Sequence, residues 1–332
     1  MRKVVVSLAT ALCATAALAP TSADAAGQLP PGDQQFTIDF GGGAREYLAH
    51  VPVGAEPGRK LPVVFNFHGG GSDAPTQKAY SQMDATADRH GFIVVYPQGV
   101  PPAPGQQSLR TWNAGKCCGP AKRTNADDVG FTFAVLDDLA GRTPVDKRRV
   151  YATGISNGGM MAYRLAADAS KRVAAIASVA GQVEVTKFAP SRPVPVMEFH
   201  SVDDPRALYN GGLGPPFPGT AIQNQFDSVQ AGIDRWVRYD GCKRTPKTGP
   251  TEQGRLGSSD AGETATRITY TPCKQDAEVV LWKLTGAGHV WPGTPIDVSG
   301  TPRGAVLGES TKVVDANELM WEFFAKHPLS RS

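Results

Sequence analysis

Six short runs rich in valine, isoleucine and phenylalanine recur along this chain: Val63–Phe67, Phe92–Tyr96, Val150–Thr153, Ala174–Val179, Val194–Phe199 and Val279–Leu284. Each is too short for a helix and apolar on consecutive positions, as a strand buried on both faces must be. Segments with helical character lie between them: Ser81–His90, Asp127–Ala140, Asn157–Asp168, Gln225–Tyr239 and Asp315–Ala325. In Asp127–Ala140 the apolar residues Val129, Phe133, Leu136 and Leu139 share one helical face. Alternation of this kind predicts an α/β architecture, a mostly parallel doubly wound sheet. Two alternating segments precede it, Gln35–Phe40 and Arg45–Pro52, joined through Gly41-Gly42-Gly43, and they read as an antiparallel N-terminal hairpin. Val100–Asn125 and Tyr209–Thr220 carry no such pattern. Long irregular stretches inside a compact domain are commonly functional or disordered.

The first residues impose a separate constraint. Arg2 and Lys3 are followed by an apolar run from Val4 to Leu18 and by Ala23-Asp24-Ala25. A basic start, a short apolar stretch and small residues at a cleavage site predict a secretory signal peptide over 1–25. The run is shorter than a bilayer span, which argues against a membrane anchor. Residues 26–332 are then 332 − 25 = 307 residues, enough for one α/β domain with a sizeable core. Net charge is +3 with no basic tract, so no nucleic-acid or anionic-membrane partner is expected. Export permits disulfides. Of the four cysteines beyond residue 25, Cys242 and Cys273 flank one Gly-, Thr- and Ser-rich excursion and are expected to pair. Adjacent Cys117 and Cys118 either pair with each other or stay reduced. No cysteine has histidines spaced for a metal, and no cofactor or metal is expected.

Ser156 sits in Gly154-Ile155-Ser156-Asn157-Gly158, between a strand candidate and a helix candidate. Chance alone would supply roughly 0.2 such matches in a chain this rich in glycine, so context must decide. Strand, tight turn and helix is the context a nucleophilic serine needs, with small neighbours to relieve the turn. A hydroxyl also needs a base, and the base an orienting acid. Three histidines follow Ser156 in the chain. His327 lies at the end of the last helix, and His200 precedes any loop able to supply an acid. His289, in Gly286-Ala287-Gly288-His289, follows the strand Val279–Leu284 and is the candidate base. The acid is expected after Val194–His200, at Asp203 or Asp204, which position alone does not separate. Phe67-His68-Gly69-Gly70-Gly71 follows an earlier strand. There Gly70 or Gly71, with Asn157, would supply backbone N–H groups to an oxyanion, and His68 would organise the loop. Trp112 and Trp291 are candidate cleft-lining residues.

Together these segments resemble the secreted α/β-hydrolase esterases grouped as polyhydroxybutyrate depolymerase-like and feruloyl/acetylxylan esterase-like proteins. The resemblance is carried by FHGGG at 67–71, TWNAGKCCGPA at 111–121, DDVGF at 127–131, RRVYATGISNGGMMAYRLA at 148–166, FHSVDDP at 199–205, WVRYDGC at 236–242 and GAGHVWPG at 286–293, in family order over most of the chain. It implies an α/β-hydrolase fold and ester hydrolysis by Ser156, Asp204 and His289. The family's His-Gly-Thr-x-Asp pattern places the acid four residues after its histidine, at Asp204. This chain reads His200-Ser201-Val202-Asp203-Asp204, which keeps Asp203 in contention. Many relatives carry a cysteine after the nucleophile where this chain has Ala167, so no disulfide from Cys117 or Cys118 can reach that helix. The expected partner is an ester substrate, polymeric or small. A peptidase on the same fold and a non-catalytic polymer- or carbohydrate-binding protein are the competing functions.

Overall fold

The computed structural model describes residues 27–103, 105–106, 108–217 and 221–330. The expected signal peptide lies outside them. The strands are β1 (Gly32–Phe40), β2 (Gly43–Val51), β3 (Leu61–Phe67), β4 (Ile93–Pro97), β5 (Val145–Ile155), β6 (Ala175–Val179), β7 (Val196–Ser201), β8 (Gly212–Leu213), β9 (Gln225–Phe226), β10 (Lys247–Gln253), β11 (Thr264–Tyr270) and β12 (Val279–Thr285). The helices are α1 (Ala74–Ser81), α2 (Met83–His90), α3 (Gly119–Arg123), α4 (Asp128–Arg142), α5 (Asn157–Asp168), α6 (Val229–Tyr239), α7 (Gly304–Leu307) and α8 (Ala316–Lys326).

Among the described residues the main sheet runs β1-β2-β4-β3-β5-β6-β7-β12-β11-β10. Its centre, from β4 to β12, is parallel, and antiparallel strands close both edges. The central strands are buried and mostly apolar because helices cover both faces. Val63, Phe65 and Phe67 face the layer of α4, α5 and α6, with Phe131, Leu136, Leu165 and Trp236. Val64, Tyr151 and Phe199 face α1, α2 and α8, with Tyr80, Met83, Met320 and Phe324. Side-chain caps fix the starts of α4, α6 and α8. Asp127 accepts from Gly130 N, Ser228 from Ala231 N, and Asp315 from Asn317 N and Glu318 N. Among the described residues no helix is long and apolar enough to cross a membrane.

Three expectations need correction. The helix expected over Gln225–Tyr239 starts at Val229, because Gln225–Phe226 pairs instead with Gly212–Leu213 and Ser228 caps the shortened helix. The helix expected over Ser81–His90 starts at Met83, because Gln82, whose φ is 52°, separates it from α1, which ends at Ser81. The excursion between Cys242 and Cys273 is not a loop. It forms β10 and β11, which extend the sheet from β12. The structure joins Cys242 to Cys273, with Cα atoms 3.8 Å apart, and pairs Cys117 with Cys118.

Candidate active site

Strand β5 ends at Ile155 and α5 begins at Asn157, so the whole reversal falls on Ser156, with φ 57° and ψ −123°. A non-glycine residue rarely adopts this conformation, and it persists only where the surroundings hold it. Here Ser156 N donates to Val179 O at 2.8 Å, and Ser156 O accepts from Met160 N at 2.9 Å. The flanking glycines are required by contact. A Cβ on Gly154 would lie 2.5 Å from Phe67 O, and one on Gly158 would run into the carbonyls of Phe67 and His68. The first turn of α5 therefore presses directly on the end of β3.

That end of β3 carries the glycine loop. His68 is fully buried, and its ring joins Gly69 O at 2.8 Å through Nδ1 and Gly99 N at 3.0 Å through Nε2. A carbonyl can only accept and an amide N–H can only donate, so the ring is the neutral Nδ1–H tautomer. Burial pulls its pKa down to about 4. Trp112 ties the loop to the turn. Its Nε1 donates to His68 O at 2.9 Å, its backbone N donates to Asn157 Oδ1 at 2.7 Å, and its carbonyl accepts from Asn157 Nδ2 at 3.0 Å. Gly71 is corrected as an oxyanion donor, since its N–H is held by Arg110 O at 2.8 Å. Gly70 and Asn157 keep amides that no hydrogen bond among the described residues occupies.

His289 follows β12, and its Nδ1 lies 2.7 Å from Asp204 Oδ2. The other oxygen, Oδ1, accepts from Arg206 N at 2.7 Å and Ala207 N at 2.8 Å. Burial alone would raise the carboxyl pKa of Asp204, but the charge and hydrogen bond of His289, with His200 behind them, hold it below the ordinary value. Asp203 points elsewhere: its Oδ2 accepts from Gly286 N at 2.7 Å, bracing the loop that carries His289. Gly288 N donates to Glu309 O at 2.8 Å, fastening the same loop on its other side.

Ser156, Asn157, Gly70 and His289 share a cleft of about 280 Å³, walled by Cys117, Cys118, Met160, Phe217, Phe226 and Leu307. Trp112 and Trp291 are not in it. Both are fully buried, and the Trp291 Nε1 donates to Asn317 Oδ1 at 3.0 Å. Their indole N–H groups find partners only inside, which corrects the expectation that they line the cleft. Sequence patterning does not single out Met160, Phe217 or Phe226. Phe217 belongs to the irregular stretch Tyr209–Thr220, whose length is the available signal, and Phe226 lies in the segment expected to begin a helix. A larger hollow of about 680 Å³, bounded by Arg148, Arg192 and Lys326, lies at the N-terminal ends of the strands, away from Ser156. Asp33, His50 and Asp84 are close enough to share a cation. The ammonium of Lys78 already fills that role, 3.0 Å from Asp33 and in contact with Asp84.

The layered parallel sheet and the serine turn at its C-terminal edge define an α/β-hydrolase. The solved acetyl xylan esterase from Aspergillus awamori shares this fold at TM-score 0.51 and 15% identity, over 88% of this chain and 99% of that one. The native form of pOPH does so at TM-score 0.52 and 14% identity, over 92% and 90%. The chain belongs to the esterase PHB depolymerase family, which it matches over residues 45–236. It is 30% identical to NocK of Nocardia uniformis subsp. tsuyamanensis, provisionally named an esterase, over 85% of this chain and 79% of that protein. It is 29% identical to feruloyl esterase B of Piromyces equi over 74% of this chain, which spans 42% of that relative. With feruloyl esterase D of Neurospora crassa it shares 27% over 96% and 94%. The chain is a carboxylic ester hydrolase.

Proposed function

We propose that Ser156, His289 and Asp204 perform this hydrolysis through an acyl-enzyme. The observation that carries the reading is the 2.7 Å contact between His289 Nδ1 and Asp204 Oδ2, at a cleft that also holds Ser156. With Nδ1 donating to the carboxylate, the His289 Nε2 lone pair is left to take the Ser156 proton. Ser156 Oγ attacks the ester carbonyl, and the amides of Gly70 and Asn157 receive the negative oxygen. Such donors are worth roughly 3–4 kcal/mol each at the transition state. The His289 imidazolium protonates the leaving alcohol, and water, deprotonated by the same ring, releases the acid.

The substrates best supported by the family and its relatives are polyhydroxyalkanoate-type esters and feruloyl or acetyl esters of polysaccharide. Met160, Phe217 and Phe226 offer an apolar wall for an acyl or aryl group. The mature protein is taken as residues 26–332, one domain, exported after loss of 1–25. The basic, apolar and small-residue pattern of the N-terminus and the two cystines support export. The test is turnover of a panel of hydroxybutyrate oligomers, feruloyl and acetyl esters and matched amides by wild type, Ser156→Ala and His289→Ala. Loss of all ester turnover in both variants is expected, and full activity in either refutes the assignment.

A further inference from the structure

Behind Asp204 lies a buried chain of polar groups that ester hydrolysis by the triad does not use. Glu198 and His200 sit two apart on β7 and so point to the same face of the sheet. The Tyr163 hydroxyl, from α5, donates to Glu198 Oε2 at 2.6 Å. Glu198 Oε1 lies 2.8 Å from His200 Nδ1, and His200 Nε2 lies 2.7 Å from Ala207 O. The same Nε2 is 3.5 Å from Asp204 Oδ2, the oxygen that faces His289. The Glu198, His200 and Asp204 side chains are 1%, 0% and 0% exposed.

The partners decide the proton count. Ala207 O can only accept, so His200 Nε2 carries a hydrogen. Nδ1 faces a carboxylate that already accepts from a tyrosine. With carboxylates on both sides of the ring, a second proton on Nδ1 leaves one cation between two anions, whereas a neutral ring would leave this cluster with no cation in direct contact on the β7 side; the Arg206 guanidinium, which also feels the charge of Asp204, donates to Pro216 O. The remaining groups around the ring do not alter this. Tyr209 meets it edge-on at 5.9 Å between centroids, and Lys283, opposite His200 on β12, has its ammonium 5.9 Å from the Tyr209 ring. Burial opposes charge on His200, yet the hydrogen bond and charge of Glu198, followed by the charge of Asp204, hold its pKa above the ordinary value.

We propose that His200 is a buried, permanently protonated positioning residue, held charged by Glu198, which partly neutralises Asp204 and thereby sets the pH at which His289 becomes a free base. The inference rests on the triad reading, since it acts through Asp204. Removing the cation leaves His289 beside a less compensated carboxylate, so that ring releases its proton at higher pH.

Two experiments test this. In ¹⁵N NMR of Ser156→Ala protein with labelled histidine, His200 should show both ring nitrogens protonated at pH 8.5; a singly protonated ring overturns the proposal. In the active background, His200→Gln and the isosteric Glu198→Gln should each move the acidic limb of kcat/KM upward by about one pH unit, with KM for a small ester unchanged. A folded Glu198→Gln enzyme whose limb stays at the wild-type position also overturns it. The NMR arm needs no change in the network, so a variant that fails to fold leaves the proposal testable. Full ester turnover by Ser156→Ala would instead remove the triad reading, a result separate from either of these.

Discussion

Opening the Cys242–Cys273 cystine should lower stability without touching catalysis. The bridge closes a loop with a sequence separation of 31. The chain-entropy relation then assigns about 12 cal/mol/K to the constraint on the unfolded chain, or about 3.7 kcal/mol at 25 °C. In the folded state the excursion does not depend on the bridge. β11 is paired with β12 along its length, and Lys243 N→Pro272 O at 3.0 Å and Lys274 N→Asp240 O at 2.9 Å clamp the backbone on either side of the sulfurs. The cost therefore falls on the folding equilibrium and not on the native geometry. With an unfolding entropy of about 0.6 kcal/mol/K for a chain of about 300 residues, Tm should fall by about 6 °C. Calorimetry of Cys242→Ser/Cys273→Ser against wild type, with kcat measured at 25 °C, checks both parts. A Tm change below about 2 °C, or a matching loss of kcat, would refute the reasoning.

Asp204→Asn should reduce kcat by about 10⁴, the scale on which a wrong imidazole tautomer acts, measured on a small aryl ester; Asp203→Asn should keep kcat within about tenfold, because an amide oxygen can still accept from Gly286 N and only the charge is lost. Gly158→Ala places a methyl against the Phe67 and His68 carbonyls and should lower stability by at least about 1–3 kcal/mol in urea titration, with activity falling further than the folded fraction. Glu184 is buried, and its pKa is pushed up to about 7 from an ordinary 4.5. A raised carboxyl pKa gives stability that is full below the unfolded value and is lost as pH rises through about 7. Glu184→Gln should therefore flatten the decline in unfolding free energy between pH 4.5 and 7, by at most about 3 kcal/mol, and equal slopes in both proteins would contradict this.

The parallel strands were legible because helices cover both faces of the sheet, so burial is written as short, mostly apolar runs. β10, Lys-Thr-Gly-Pro-Thr-Glu-Gln, was not. It is an exposed edge strand whose place depends on backbone pairing with β11, and it has no apolar face to betray it. β11 fared no better, since its alternation is carried by threonines. The serine turn was readable from spacing because its glycines answer to hard backbone contacts. Asp203 and Asp204 could not be separated from position, being neighbours; only the fold turns one to Gly286 N and the other to His289. Trp112 and Trp291 were misplaced for a related reason. An indole near a motif looks like a substrate platform, and whether its N–H is satisfied inside is set by residues as distant as His68 and Asn317. Gly70 and Gly71 are equally plausible in sequence, and the Arg110 carbonyl removes one of them.

The central claim is that Ser156 is the residue that carries the acyl group. Brief reaction of the purified enzyme with a slowly hydrolysed p-nitrophenyl ester, acid quench and peptide mass mapping measures this directly. The account predicts one acyl mass added to the peptide containing Ser156, present in the wild type and absent in Ser156→Ala. An active wild-type enzyme whose acyl group maps to any other residue, or which turns over the ester with no acyl adduct at all, would contradict it.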